Sequence, residues 1–151
     1  MAQNHEYPMT VNWEGGRGGS GGARCGNSGT EFPLSVGPEY GGPGKGTNPE
    51  ELLTAALAAC YSITFGIIAE NRKIPVRSLR VSATGLVEQS GMQFTYKQIV
   101  LKPEIVLEEG ATEEQIQLAD DMAHKAELYC IITNAVRDKV EVVLEPSISV
   151  G

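Results

Sequence analysis

The sequence predicts an α+β fold, antiparallel sheets with two long cysteine-bearing helices, and three observations predict it. A run from Leu52 to Ala69 carries no charge and follows a helix-start signal. Period-two alternation marks strands on both sides of that run. A second, half-polar helical pattern precedes one more strand. The 151 residues, 41% hydrophobic and 21% charged, fit one soluble domain over 1–151 that can bury a useful core. A formal net charge of −7 argues against nucleic acid as the main partner, because phosphate binding needs a basic surface. Three cysteines, an odd number, do not suit a secreted disulfide framework. Met1 to Thr10 shows no basic segment followed by an apolar one, so the expectation is a cytoplasmic protein.

Taken in order, Val11 and Trp13 suggest a first strand, ended by the glycine-rich stretch Glu14–Gly22. Phe32, Leu34 and Val36 alternate as a second. Gly37–Gly46 reads as a loop, neither helix nor strand. Two motif matches fall here and fail on context. Gly16–Gly21 fits G-x-G-x-x-G with no helix pattern behind it, and Gly44-Lys45-Gly46-Thr47 has glycine where a P-loop needs Ser or Thr.

The central helix starts at Pro49. Asn48 can cap it with Glu51 at the third helical position, and Thr47 with Glu50 offers a capping box one residue earlier. Its length raises the membrane question. However, Thr54, Tyr61, Ser62, Thr64 and the many alanines favour a helix packed against protein on all sides over a lipid-facing one. Leu53, Ala56, Leu57, Cys60, Ile63, Thr64 and Ile67 recur at helical spacing, so Cys60 shares their face. Pro75 stops the helix. Leu79–Val87 and Phe94–Leu107 then alternate as a hairpin with a turn near Gln89-Ser90-Gly91. Thr112 caps the second helix with Gln115 completing a capping box. That helix runs on through Cys130 to Ala135, and Val140–Leu144 forms the last strand.

Cys60 and Cys130, one per helix, admit two readings. They are either independent core cysteines or a dithiol in which one sulfur is oxidised to a sulfenic acid and the other condenses with it. Cys25, in a glycine-rich loop, is a bystander in both. A reactive cysteine needs electropositive help, since a thiol of pKa about 8.5 is only ~3% thiolate at neutral pH. Lowering it to about 6 takes roughly 3 kcal/mol. Arg17, alone among glycines, is the candidate donor and Arg24 its competitor; either could instead be a solvated side chain. Glu50 could anchor an arginine by a bidentate pair, or simply complement the helix dipole. His5 and His124 are too scattered to build a metal site with these cysteines, and no C-x-x-C occurs.

The block Gly46-Thr47-Asn48-Pro49-Glu50-Glu51-Leu52-Leu53 followed by Ala58-Ala59-Cys60 resembles the signature of the OsmC/Ohr family, the osmotically inducible and organic hydroperoxide resistance proteins. Trp13-Glu14-Gly15-Gly16-Arg17 and Cys130-Ile131-Ile132-Thr133-Asn134-Ala135 extend the likeness over nearly the whole chain, closer to the OsmC-like branch. The resemblance implies an intertwined homodimer and a cysteine-based peroxidase that reduces organic hydroperoxides, and hydrogen peroxide more weakly, without metal or flavin. By position it makes Cys60 the peroxidatic thiolate, Cys130 the resolving cysteine, Arg17 the activating arginine and Glu50 the acid that orients it. It implies a dihydrolipoamide-type dithiol, free or carried on a protein, as reductant, and no nucleic-acid or membrane partner. Two other functions fit the same residues: a non-enzymatic, stress-related dimeric binding protein, and a disulfide reductase. One departure stands out. Many members carry proline directly after the second cysteine, where this chain has Ile131.

Overall fold

A computed structural model describes all 151 residues. The chain forms two compact units, Met1–Leu52 and Leu53–Gly151. In the first, β1 (Met9–Glu14), β2 (Ser20–Cys25) and β3 (Glu31–Leu34) pair antiparallel in that order. β2 corrects the expectation that the glycines only end a strand. Gly21 pairs with Trp13, and a side chain there would collide with the Asn12 carbonyl and the indole ring. These glycines therefore let two strands approach beneath a large aromatic ring. The Gly37–Gly46 loop, expected to be irregular, holds a 3-10 turn over Pro38–Tyr40. Proline presets its φ, and Gly41, at φ 80, closes it by donating to the Pro38 carbonyl at 2.9 Å.

Helix α1 (Pro49–Asn71) starts as the sequence predicts. Asn48 Oδ1 accepts from the Glu51 N–H at 2.8 Å, while the Thr47 hydroxyl donates to the Glu51 carboxylate at 2.9 Å. Asn48 is thus the cap, and Thr47 braces the acid that follows. By length and composition α1 could cross a membrane. Its buried residues, however, are Leu57, Tyr61, Phe65 and Ala69, a stripe that joins the core cluster of the Leu53–Gly151 unit. This corrects the expected packing on all sides and the expected face. Ile63 and Ile67 are exposed, because the stacked pair Tyr61 and Phe65, with centroids 6.4 Å apart, claims the core side.

Strands β4 (Val76–Ser90) and β5 (Gln93–Leu107) form a long antiparallel hairpin, turned at Gly91 with φ 63. β5 is the inner strand, and Ile99, Leu101, Pro103, Ile105 and Leu107 alternate into the core. Its other edge is paired over Gln98–Leu101 by β6 (Glu141–Leu144) and over Glu104–Leu107 by β7 (Ser147–Val150), both parallel to it. Pro103 falls where β6 has stopped at Leu101 and β7 begins at Glu104, so its missing N–H sits at a gap in the ladder. The sequence reading expected one final strand and missed β7, which Pro146 separates from β6. Tyr96 on β5 reaches over Gly85 of β4, and its hydroxyl hydrogen-bonds the Thr54 hydroxyl on α1.

Helix α2 (Glu113–Tyr129) opens with the predicted capping box, Thr112 and Gln115 each bonding the other's backbone N–H. It does not run through Cys130. It ends there, and a short helix α3 (Ile131–Val136) begins, with Cys130 at the corner between them. The architecture is the predicted α+β class, with parallel edge strands added to the antiparallel hairpin.

Candidate functional site

Cys60 is brought to Cys130, and both are free thiols. Cys60 lies half-buried inside α1; Cys130 is fully buried at the α2–α3 corner. The Tyr61 hydroxyl donates to the Ala123 carbonyl at 2.8 Å and ties α1 to α2 beside them. Burial raises that phenol's pKa, with Glu127 and Asp120 adding to the rise, so the latch stays protonated.

The two thiols are not equivalent. Partial burial opposes ionisation of Cys60, but hydrogen bonds outweigh it: the Cys130 thiol, the Ile132 N–H, the Thr64 hydroxyl and the Ile131 N–H all favour its thiolate. The net effect holds Cys60 below the ordinary thiol range. Burial pushes Cys130 up, as does donation of its own proton to Cys60, and contacts from Thr133 only partly offset this. Of the two, Cys60 is thus the more acidic. The donors come from local structure. The break at Cys130 leaves the first N–H groups of α3 without helical acceptors. The Thr133 N–H turns to Cys130 Sγ at 3.4 Å, and those of Ile131 and Ile132 turn to Cys60. Thr64 Oγ1 lies 4.0 Å from Cys60 Sγ. The Thr133 hydroxyl is buried with no hydrogen bond of normal geometry, close enough to Cys130 to favour its thiolate.

Arg17 lies on the turn from β1 to β2, exposed and without an ion pair, its Cδ 3.3 Å from where a side chain on Gly41 would begin. Glu50 stands in the first turn of α1 and lines a mainly apolar cleft of about 410 Å³ with Val11, Trp13, Leu34, Val36 and Tyr40. Partial burial raises the Tyr40 pKa, and the Glu50 and Glu39 carboxylates raise it further. The competing arginine, Arg24, is engaged elsewhere, bonded to Glu31 at 2.9 Å on the open sheet. Cys25 ends β2, partly exposed. No group of three or more His, Cys, Asp or Glu side chains is arranged to hold a metal ion. Sequence reasoning missed Thr64, Thr133 and the N–H groups of Ile131 and Ile132. The two threonines, one turn after each cysteine, were a signal available in the sequence.

This is an α+β protein with two neighbouring thiols in its core unit, one of them acidified. Residues 42–145 match the OsmC-like protein family, and the chain belongs to it. It is 37% identical to a Bacillus subtilis (strain 168) protein, the uncharacterized YmaD, over all of this chain and 99% of that one. An OsmC-like protein of unknown function from Vibrio cholerae shares its fold at a TM-score of 0.80 and 24% identity, covering 95% of this chain and 100% of that one. An organic hydroperoxide resistance protein from Elizabethkingia anophelis is similar at TM-score 0.73 and 27% identity, covering 96% and 99%.

Proposed function

We propose that this protein is a cysteine-based thiol peroxidase that reduces organic hydroperoxides, and hydrogen peroxide more weakly, in oxidative and osmotic stress defence. The observation that carries the reading is the juxtaposition of Cys60 and Cys130, which lowers the Cys60 pKa and raises that of Cys130. The Cys60 thiolate attacks the distal oxygen of the hydroperoxide. The O–O bond breaks, sulfur is oxidised to the sulfenic acid, and the alkoxide leaves and takes up a proton. Cys130 sulfur then attacks the Cys60 sulfur, the S–O bond breaks, and water departs with the Cys130 proton. A dihydrolipoamide-type dithiol, free or carried on a protein, reduces the disulfide and is itself oxidised to its cyclic disulfide. No metal or flavin enters this scheme.

Arg17 is assigned as the cation that further stabilises the thiolate and the departing alkoxide, and Glu50 as the acid that orients it. Glu50 falls within the residues that match the family, and Arg17 is assigned from the resemblance of Trp13-Glu14-Gly15-Gly16-Arg17 to the family's early segment. The partner is a second copy of the chain. The uncharged exposed stripe Ala55, Ala59, Ile63 and Ile67 on α1 is the kind of face a homodimer buries, and it supports an apolar surround for the substrate. The free cysteines suit a reducing cytoplasm. The deciding measurement is cumene hydroperoxide consumption with a dithiol reductant by wild type and Cys60→Ser. Loss of turnover is expected in the variant, and undiminished turnover sinks the reading.

A further inference from the structure

We infer that Arg137 is a positioning residue that sets the rate of disulfide closure by holding the corner at Cys130; the inference rests on the peroxidase reading above. Cys130 has φ −68 and ψ 115, the extended conformation that a following proline would enforce. The residue that follows is Ile131, which leaves its neighbour free to stay helical. Something else must break the helix here.

The carbonyls at the end of α2 lose their helical partners at such a break and must find others. Here side chains of α3 and its C-cap take them. Arg137 Nη2 donates to the Glu127 carbonyl at 3.1 Å, and Asn134 Nδ2 donates to the Leu128 carbonyl at 2.9 Å. Arg137 then locks the arrangement. Its Nη1 meets the Glu127 carboxylate at 2.6 Å, and Nε and Nη2 both donate to Asn134 Oδ1 at 3.1 and 2.9 Å. One guanidinium so joins the last turn of α2 to the middle of α3, with Cys130 enclosed between them. The Glu127 side chain is 13% exposed and the Arg137 side chain 38%, so the clasp is only partly screened by solvent.

The corner decides two things about the sulfurs. It aims the Ile131 and Ile132 N–H groups at Cys60, and it places Cys130 Sγ where it can attack the Cys60 sulfenic acid. Attack by hydroperoxide on Cys60 needs no motion of Cys130. Closure depends on where Cys130 is held, because the S–S bond forms only when its sulfur lies in line as the S–O bond breaks and water leaves. Loosening the clasp therefore slows closure most, and slows the first step only as far as the Ile131 and Ile132 N–H groups drift from Cys60.

The test uses Arg137→Met, which keeps the aliphatic stem, with Asn134→Ala as the milder variant. Each reduced protein receives one equivalent of cumene hydroperoxide with dimedone present, and mass spectrometry counts the disulfide and the dimedone-labelled Cys60. In Arg137→Met the disulfide should close about tenfold more slowly, with labelled Cys60 rising in its place and hydroperoxide loss slowed by clearly less, about twofold to threefold. Adding Ile131→Pro to Arg137→Met should restore closure, because the ring imposes the corner directly. Closure at the wild-type rate in Arg137→Met overturns the proposal. So does a proportional slowing of both steps, which marks a merely structural residue. Diamide, which closes dithiols without peroxide chemistry, gives a separate arm. If wild type shows neither adduct nor disulfide with hydroperoxide, the peroxidase reading fails, and diamide closure still judges the clasp.

Discussion

Cys60 lies inside an unbroken helix and Cys130 at a break between two, and the acidity of each sulfur follows from that difference. Within α1 every N–H near Cys60 is committed to a carbonyl one turn back, so its own helix offers only the Thr64 hydroxyl, at 4.0 Å. At the break, N–H groups are released, and they serve both sulfurs. The continuous helix carries the thiolate; the broken one supplies the donors that stabilise it. Burial alone would have raised both thiols.

The sharpest way to break this comparison is to remove the proton donor. Cys130→Ala should take steady-state turnover with a dithiol close to background, while the first equivalent of hydroperoxide is still consumed. Further equivalents should drive Cys60 to the sulfinic acid, visible as a mass gain. Next in size is Ile131→Pro, which keeps the corner and deletes one N–H. A hydrogen bond of this kind is worth on the order of 1 kcal/mol, so Cys60 alkylation by iodoacetamide at neutral pH should slow about fivefold. Its pH profile should shift upward as well. In wild type the rate rises through a midpoint lower than that of an unperturbed thiol, since a depressed pKa populates the thiolate at lower pH. Removing a donor moves that midpoint back toward ordinary. Thr64→Val tests the weaker, longer contact and should slow alkylation only about twofold. The smallest effect is on stability. Thr133→Val deletes a buried hydroxyl that has no bond of normal geometry, so unfolding free energy should change by less than about 1 kcal/mol. Reduction of the disulfide should still slow, because Cys130 loses a group that favours it as the departing thiolate.

The parts legible in the sequence were those with local causes. The Asn48 cap, the Thr112–Gln115 box and the β4–β5 hairpin each depend on neighbours in the chain, and each formed where composition placed it. The face of α1 was misread because helical spacing alone allows a stripe through Ile63 and Ile67. The choice of the Tyr61–Phe65 side depends on what α2 and β5 present, which no window of α1 contains. β2 was missed because its glycines are selected by the approach of Trp13 from another strand. The break at Cys130 was missed for a similar reason, since it is enforced from seven residues away by Arg137 and backward by Glu127.

The open position at Gly85 has a consequence far from its own strand. The Tyr96 hydroxyl occupies the space that any side chain at 85 would fill, and it holds Thr54 of α1. An alanine there would prise the hairpin from the first turns of the helix whose later turns carry Cys60. Gly85 therefore works as a spacer gauge. A strand residue with no side chain fixes how deeply the nucleophile's helix seats, and its replacement should register first as altered thiol chemistry rather than as lost sheet.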